Sequence, residues 1–348
     1  MSFITNLERN HIFVSRASTA IYIVLKTLGF QGRKILVPAN ICYAAVYPII
    51  YSGNIPIFCD VKKTSGNVTF EICVKHAEEV DGMLLPHMYG NPIKHIDKIA
   101  ALCNEKNLLL IEDCASAMGA YSAGRLCGSW GDFSVFSLGY SKTLDIGSGG
   151  ILFSNHDLGK FEENYKALPE KTSLEEQNEA FFSKLYRLIR NNTQQELSHY
   201  IWRGLLPGLK KTFVHYEPGI ETKIKDALED LDIIISQRKT EMELYKKFLP
   251  PCKYFEIYAY EKSAVPWRFS LIAEPAFRKE LIAYFLEHNL PVSDWYPVVT
   301  PIFGISGEFP GAGYMEKRLI NFPLLIGEEQ IYRICKGINY FINKMEHR

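Results

Sequence analysis

No two of the eight cysteines stand at C-x-x-C spacing, so the paired-thiol pattern of a zinc site is missing. Several of them lie in apolar runs, where small buried thiols belong. A disulfide framework is not expected in a chain this long, and a reducing cytoplasm is the expected location. Charge of one sign is missing too: 39 Lys and Arg balance 39 Asp and Glu, for a formal net charge of +0. Without a basic stripe or basic tail, neither nucleic acid nor an anionic membrane is an expected partner. Long apolar runs are absent. None approaches the ~20 residues needed to span a bilayer, and the stretch 43–58 is interrupted by Pro48, Ser52, Gly53, Asn54 and Pro56. The opening residues, MSFITNLERN, show no basic-then-apolar signal pattern. There is no internal repeat and no low-complexity tract.

What remains is a chain of 348 residues, 47% hydrophobic and 22% charged. That is ordinary globular composition, and the length exceeds one typical core. The first two thirds alternate between strand and helix signals. Short apolar runs at 34–38, 55–60, 83–87, 108–113, 133–137 and 149–153 read as strands. Ile21, Val24, Leu25 and Leu28 have helical spacing, as do Ile93, Ile96, Ile99, Ala100 and Cys103 after Pro92. The strands are continuously apolar rather than alternating, which suits a sheet covered on both faces. The expected architecture is therefore α/β, with a mostly parallel, doubly wound sheet.

From about 158 to 209 the chain becomes charged and helical, and 224–249 reads as one long amphipathic helix. Beyond it, 267–272 and 290–292 are expected strands, and 277–288 and 327–344 expected helices. A large domain over residues 1–239 and a small C-terminal α+β domain over 240–348 are expected.

Two residues carry the chemistry. Asp113 closes the apolar run Ile111-Glu112-Asp113, and Lys142 follows 29 positions later, after a second strand and a serine-rich turn. In open α/β sheets, ligands bind beyond the carboxyl ends of the strands. Asp113 could equally cap a helix beginning at Cys114, and the two roles are compatible. Pyridoxal phosphate needs both groups: a lysine to form a Schiff base with its aldehyde, and a carboxylate to keep the pyridine nitrogen protonated. Burial of Lys142 near the sheet would lower its pKa and make it a usable nucleophile. Ser137 and Ser141 flank the turn before the lysine, and Ser18 and Thr19 open the first helix. Hydroxyls and N–H groups in such places can cradle a phosphate, although each is also an ordinary cap. Gly147-Ser148-Gly149-Gly150 permits close backbone approach.

The stretch from Leu84 to Asn155 resembles the DegT/StrS family of sugar aminotransferases. In order and spacing it has His87, Gly90, Glu112-Asp113, Ala117-Met118-Gly119-Ala120, Gly128, Gly131-Asp132, Phe136-Ser137, a lysine five after that serine, and Gly149-Gly150. VSRASTAIYIVLKTLG, ILVPANICYAAV and GNIPIFCDV upstream, and LDIIISQRKTEMELYKKFL downstream, are similar to further family segments. The resemblance is weak over 158–220. It implies a fold type I aminotransferase using pyridoxal phosphate, which passes an amino group, usually from glutamate, to a nucleotide-linked keto sugar in amino sugar or surface polysaccharide biosynthesis. It implies a homodimer.

Carried over, it makes Lys142 the cofactor-holding, proton-carrying residue and Asp113 the partner of the pyridine nitrogen. Ser137, Ser18 and Thr19 become phosphate ligands, and Tyr43 the cover for the ring, although strict alignment puts Cys42 at the family's aromatic position. Three departures stand out. Ser116 replaces a Gln or His that packs on the ring. Ser148 replaces a Glu before the paired glycines. No Gly-x-Asn-x-Arg segment, which in many members reaches the partner's phosphate, lies between Lys211 and Lys223. For the acceptor, Arg268 in Trp267-Arg268-Phe269 and His87 are candidates, with Trp295-Tyr296-Pro297 behind them. Two alternatives are a sugar 3-dehydratase of the same family, a branch in which histidine replaces the lysine, and an inactive member with a regulatory role.

Overall fold

The structure is a computed structural model, and it describes residue 3, residues 9–190 and residues 195–347. The elements are β1 (Asn10–Val14), α1 (Ala17–Thr27), β2 (Lys34–Pro38), α2 (Tyr43–Tyr51), β3 (Ile55–Cys59), α3 (Phe70–His76), β4 (Gly82–Pro86), α4 (Ile96–Lys106) and β5 (Leu109–Asp113). A small hairpin follows, β6 (Tyr121–Ser122) with β7 (Arg125–Leu126), and then β8 (Phe133–Ser137) and β9 (Gly150–Ser154). The main sheet has seven strands in the order β1-β9-β8-β5-β4-β2-β3. From β8 to β3 the pairings are parallel; β9 pairs antiparallel with both β8 and β1.

Both faces of this sheet are covered, for the reason the apolar runs imply. Ile35, Val37, Leu84 and Ile111 pack with α1 and α2 on one face. Their chain neighbours Leu36, Met83, Leu85 and Leu110 pack with α3 and α4 on the other. Successive side chains of a strand point to opposite faces, so a strand between two helical layers must be apolar at every position. Each such Leu or Ile contributes about 1.5–3 kcal/mol by burial.

The charged stretch after β9 folds as α5 (Gly159–Lys166), α6 (Ser173–Arg190) and α7 (Gln195–Phe213); residues 191–194 of the expected helical region lie outside the described residues. The long helix expected over 224–249 is two helices, α8 (Ile220–Glu229) and α9 (Leu231–Phe248), meeting at Asp230. Beyond them come β10 (Phe255–Ile257), β11 (Phe269–Ala273), α10 (Pro275–Glu287), α11 (Pro310–Arg318), β12 (Leu319–Phe322) and α12 (Glu328–Glu346). The last three strands form an antiparallel sheet, β10-β11-β12. It shares its core with α9, α10 and α12. The expected strand at 290–292 does not form; only Ser293 bridges to Asn321.

Candidate functional site

The carboxyl ends of β5 and β8, the turn leading from β8 to β9 and the start of α1 converge on one region. Asp113 ends β5, buried at 7% exposure. Its Oδ1 accepts from the Ala115 N–H at 2.9 Å, so the expected capping contact is real. Oδ2 has no hydrogen-bond partner among the described residues. Burial pushes the Asp113 carboxyl up, while the Ala115 N–H and Lys142 pull against it. A cationic ring nitrogen at Oδ2 would relieve that burial penalty.

Lys142 lies across from it, partly buried, with Nζ 3.4 Å from the Ser116 hydroxyl. The expected lowering of its pKa does not occur. Burial does pull the amine down, but Tyr296, Cys42 and Asp113 outweigh it, and the amine sits above the ordinary lysine value. Near neutral pH the charge in that group belongs to Asp113, because burial keeps both the Cys42 thiol and the Tyr296 phenol protonated. Desolvation depresses a lysine only where no counter-charge is buried with it.

The lysine turn is pinned. Ser141 is left-handed, at φ +66°. Its N–H donates to Asp145 Oδ2 at 2.6 Å, and its carbonyl accepts from Trp267 Nε1 at 2.6 Å. Arg268 donates to its hydroxyl. Arg238, on α9, donates to the carbonyls of Lys142 (2.9 Å), Thr143 (3.4 Å), Trp267 (2.9 Å) and Pro266 (3.3 Å). These contacts set Arg268 against the lysine turn, with its guanidinium over the Trp267 ring at 5.2 Å and its Nε buried without an acceptor. Arg238 was not foreseen; a mid-helix arginine offers no sequence signal for such a role.

His87 does not face this space. It is 1% exposed. Its Nε2 lies 3.1 Å from Glu112 Oε2, and its Nδ1 accepts from the Ile93 N–H at 3.0 Å. The Ile93 contact places the ring proton on Nε2, facing Glu112. Glu112 also accepts from the N–H groups of Gly128, Trp130 and Gly131 at 3.0, 2.6 and 2.7 Å. Burial alone would push its carboxyl up, but the hydrogen bonds from His87, Gly131 and Gly128 win and hold it below the ordinary range. Both ring nitrogens of His87 are engaged, so its nomination as a substrate residue is corrected: it is a brace one residue behind Asp113. Although Cys114 lies close enough to join His87 and Glu112 as a metal-ligand set, the existing hydrogen bonds already occupy the lone pairs such an ion would need.

At the phosphate end, Ser137 Oγ accepts weakly from the Gly139 N–H at 3.3 Å and keeps its proton to donate. The hydroxyls of Ser18 and Thr19 are engaged otherwise than expected. Both donate to the Phe213 carbonyl, at 2.6 and 3.2 Å, and Ser15 donates to the His215 carbonyl at 2.5 Å. What the start of α1 offers an anion is its main-chain N–H groups, which no side chain caps. Gly150 lets this helix start approach the sheet: a Cβ there would lie 2.6 Å from the Ala17 nitrogen. The segment lacking Gly-x-Asn-x-Arg is thus tied to the start of α1 in its own chain.

Tyr43 is also corrected. It is the first residue of α2, and its ring packs among Tyr47, Phe182, Phe213 and Trp295 at 5.5–6.1 Å. A ring at that position finds an apolar aromatic cluster on the side of α6 and α7, and settles there. Cys42, the residue before it, is the one that neighbours Lys142 and Asp113. Altogether the site holds a lysine amine, a buried carboxylate with a free oxygen, a serine hydroxyl and an uncapped helix start. These residues fit pyridoxal phosphate.

Comparison with known proteins agrees. The profile of the DegT/DnrJ/EryC1/StrS aminotransferase family matches residues 3–339, and the chain belongs to that family. A GDP-perosamine synthase of Escherichia coli O157:H7 is 27% identical over 361 residues, covering 96% of this chain and 87% of the relative. Among solved structures, the aminotransferase TlmJ of Streptoalloteichus hindustanus superposes with a TM-score of 0.75 at 19% identity, over 99% of this chain and 89% of its own. The E. coli GDP-4-keto-6-deoxy-D-mannose-3-dehydratase, solved with bound hydrated PLP, gives 0.69 at 18% identity, over 97% and 89%. These two likenesses show the shared fold, and the family's cofactor is pyridoxal phosphate.

Proposed function

We propose that this protein moves an amino group, with glutamate as donor, onto a keto sugar carried by a nucleotide, in amino sugar or surface polysaccharide biosynthesis. The observation that carries the proposal is the Lys142 amine and the Asp113 carboxylate brought together as interacting charges at the ends of the sheet strands, in a chain of an aminotransferase family. The name of the E. coli relative supports a nucleotide-linked sugar as the substrate class.

When bound, the cofactor supplies an electron sink. The protein's own groups do the rest. Lys142 holds the cofactor, and its Nζ, once released, carries the proton from the donor's Cα and later to the acceptor carbon. Positioned proton transfer of this kind is worth ~10²–10⁴-fold. Asp113 Oδ2 keeps the ring nitrogen protonated. The Ser137 hydroxyl and the N–H groups at the start of α1 take the phosphate, while Ser116 sits against the lysine amine. Arg268, with its unpartnered Nε, is the candidate for an anionic group of donor or acceptor. The proposal includes a homodimer working in the cytoplasm, with a cofactor-binding domain over 1–239 and a small domain over 240–348. The presence of Lys142 argues against the dehydratase branch.

The test is an ultraviolet–visible spectrum of the purified protein with pyridoxal phosphate, before and after glutamate. The lysine-linked cofactor should absorb in the visible and lose that band when glutamate converts it to the amine form. A band that ignores glutamate would refute the donor assignment and support an inactive, regulatory member. No band at all would refute the Lys142–Asp113 site.

A further inference from the structure

The main chain at Lys142 has few holds. Its N–H donates to the Gly139 carbonyl at 3.2 Å, within the turn itself. Its carbonyl and that of Thr143 find one donor group among the described residues, the Arg238 guanidinium, whose Nη2 lies 2.9 and 3.4 Å away. Nη1 of the same guanidinium donates to the carbonyls of Trp267 at 2.9 Å and Pro266 at 3.3 Å. The two nitrogens share one rigid plane, so the fork sets the spacing between the lysine turn and the 266–267 segment. That segment is itself anchored beyond β4: the Trp267 N–H donates to the Tyr89 carbonyl at 2.9 Å, and the Val265 N–H to the Gly90 carbonyl at 3.2 Å.

Ion pairing does not explain Arg238. It is 4% exposed, and its hydrogen bonds all go to carbonyl oxygens. Glu241, one turn further along α9, is spent on the N–H groups of Leu325, Ile326 and Gly327. Burying a guanidinium without a carboxylate is costly, so its place on α9 calls for a reason. Leu231, Ile234 and Ile235 pack into the core that holds Leu138 and Leu144 on either side of the lysine. Met242, Tyr245 and Leu249 pack into the core of the three-stranded sheet. Arg238 lies in the interval, where α9 passes from one core to the other.

We propose that Arg238 is a positioning residue for the Lys142 amine, its fork turning the joint seating of α9 and the 266–267 segment into one fixed location for that amine. This rests on the pyridoxal phosphate site proposed above. Without the fork, the Lys142 and Thr143 carbonyls lose their donor and the turn is free to shift. A displacement of a reacting group by ~1 Å costs about a hundredfold in rate, while contacts that bind the donor elsewhere are kept.

The experiment compares wild type with R238K and R238Q. Lysine keeps the charge but has one nitrogen, so it cannot span both carbonyl pairs; glutamine loses charge and reach together. Two rates are read. One is growth of the visible band when pyridoxal phosphate is added to the apoprotein, which reports linking by the Lys142 amine. The other is loss of that band with glutamate, split into its rate at saturation and the half-saturating concentration. Both rates should fall about a hundredfold in both variants, with half-saturating glutamate within about threefold of wild type. Guanidinium ion, at a non-denaturing concentration, should raise the rates of R238A about tenfold and ammonium ion should not, because only guanidinium reproduces the fork. An arginine with a purely structural role would lower the melting temperature and leave the rates of the folded, loaded protein unchanged. Wild-type rates in R238K would therefore overturn the proposal, and R238Q carries the same test if R238K does not fold. A higher half-saturating concentration at an unchanged saturating rate would overturn it too, by placing Arg238 in donor binding. Wild type that never develops a band would instead refute the Lys142–Asp113 site on which the proposal rests.

Discussion

Replacing Glu112 by glutamine removes two of the four hydrogen bonds that this buried side chain accepts. Oε2 takes the His87 Nε2–H and the Gly128 N–H; Oε1 takes the N–H groups of Trp130 and Gly131. Whichever way the amide turns, its NH₂ meets two donors. His87 cannot relieve the conflict by changing tautomer, because the Ile93 N–H occupies Nδ1. Glu112 and His87 are both 0–1% exposed, so water cannot enter to substitute. Each buried donor left without an acceptor costs about 1–3 kcal/mol, and two give about 4 kcal/mol. Against a net stability of about 5–15 kcal/mol, that is a large fraction. Equilibrium urea unfolding of E112Q, followed by far-ultraviolet circular dichroism, measures it. The acid side supplies a second check. The Glu112 carboxyl is held below its ordinary value, so its contribution is complete above about pH 4.3 and is lost as pH falls through the lower, folded-state value. The gap between wild type and E112Q should therefore narrow in acid. A variant within about 1 kcal/mol of wild type at pH 7 would refute the claim that this carboxylate holds the turn behind Asp113.

Lys142→Ala should abolish both the visible cofactor band and amino transfer; full activity in that variant would sink the site assignment. Asp113→Asn should slow the glutamate half-reaction by at least about a hundredfold, measured by stopped-flow absorbance, because the ring nitrogen loses its counter-charge; a wild-type rate would remove Asp113 from the site. His215 is buried and its pKa is lowered to about 4, by burial first and then by Arg16 and Lys171. The unfolded chain takes its proton near pH 6.5, so stability is undiminished above that pH and declines by about 3 kcal/mol as pH falls to about 4. His215→Gln should flatten that part of the acid-unfolding profile, and an unchanged slope would show that His215 is not the group responsible.

The main sheet was legible because its strands are apolar at every position, a pattern that only two covered faces explain. β1 escaped notice: its apolar run Ile12-Phe13-Val14 is only three residues long, behind Asn10 and His11 on the edge of the sheet. The break at Asp230 was invisible because Leu228 and Leu231 keep helical spacing on either side of it. At the site, Asp113, Lys142 and Ser116 converge as their strand-end and turn positions suggest. Tyr43 and Cys42 are neighbours at a helix start; residue type favoured the tyrosine, whereas the cysteine is the one that neighbours Lys142 and Asp113. His87 was misjudged for a related reason. A histidine after a buried strand looks available until its partner is known, and that partner, Glu112, lies on the adjacent strand.

Asp113 and Lys142 are held by different parts of the molecule. Asp113 is backed by the sheet: Glu112 beside it clamps the 128–131 turn, and Arg9 donates to the Gly131 carbonyl of the same turn at 2.7 Å. Lys142 is held from the other side, by Arg238 on α9 and by Trp267 and Arg268 just ahead of β11. The position of the amine is therefore set not only by the 29 residues between it and the carboxylate but also by how α9 and the segment ahead of β11 pack on the lysine turn and on residues 89–90. Gly90 shows how close that packing is. At φ +81° its carbonyl accepts from the Val265 N–H at 3.2 Å, and a Cβ there would fall 1.9 Å from the Val265 carbonyl oxygen. A side chain at residue 90 would push away the 265–267 segment, and with it the Trp267 indole that holds the Ser141 carbonyl of the lysine turn.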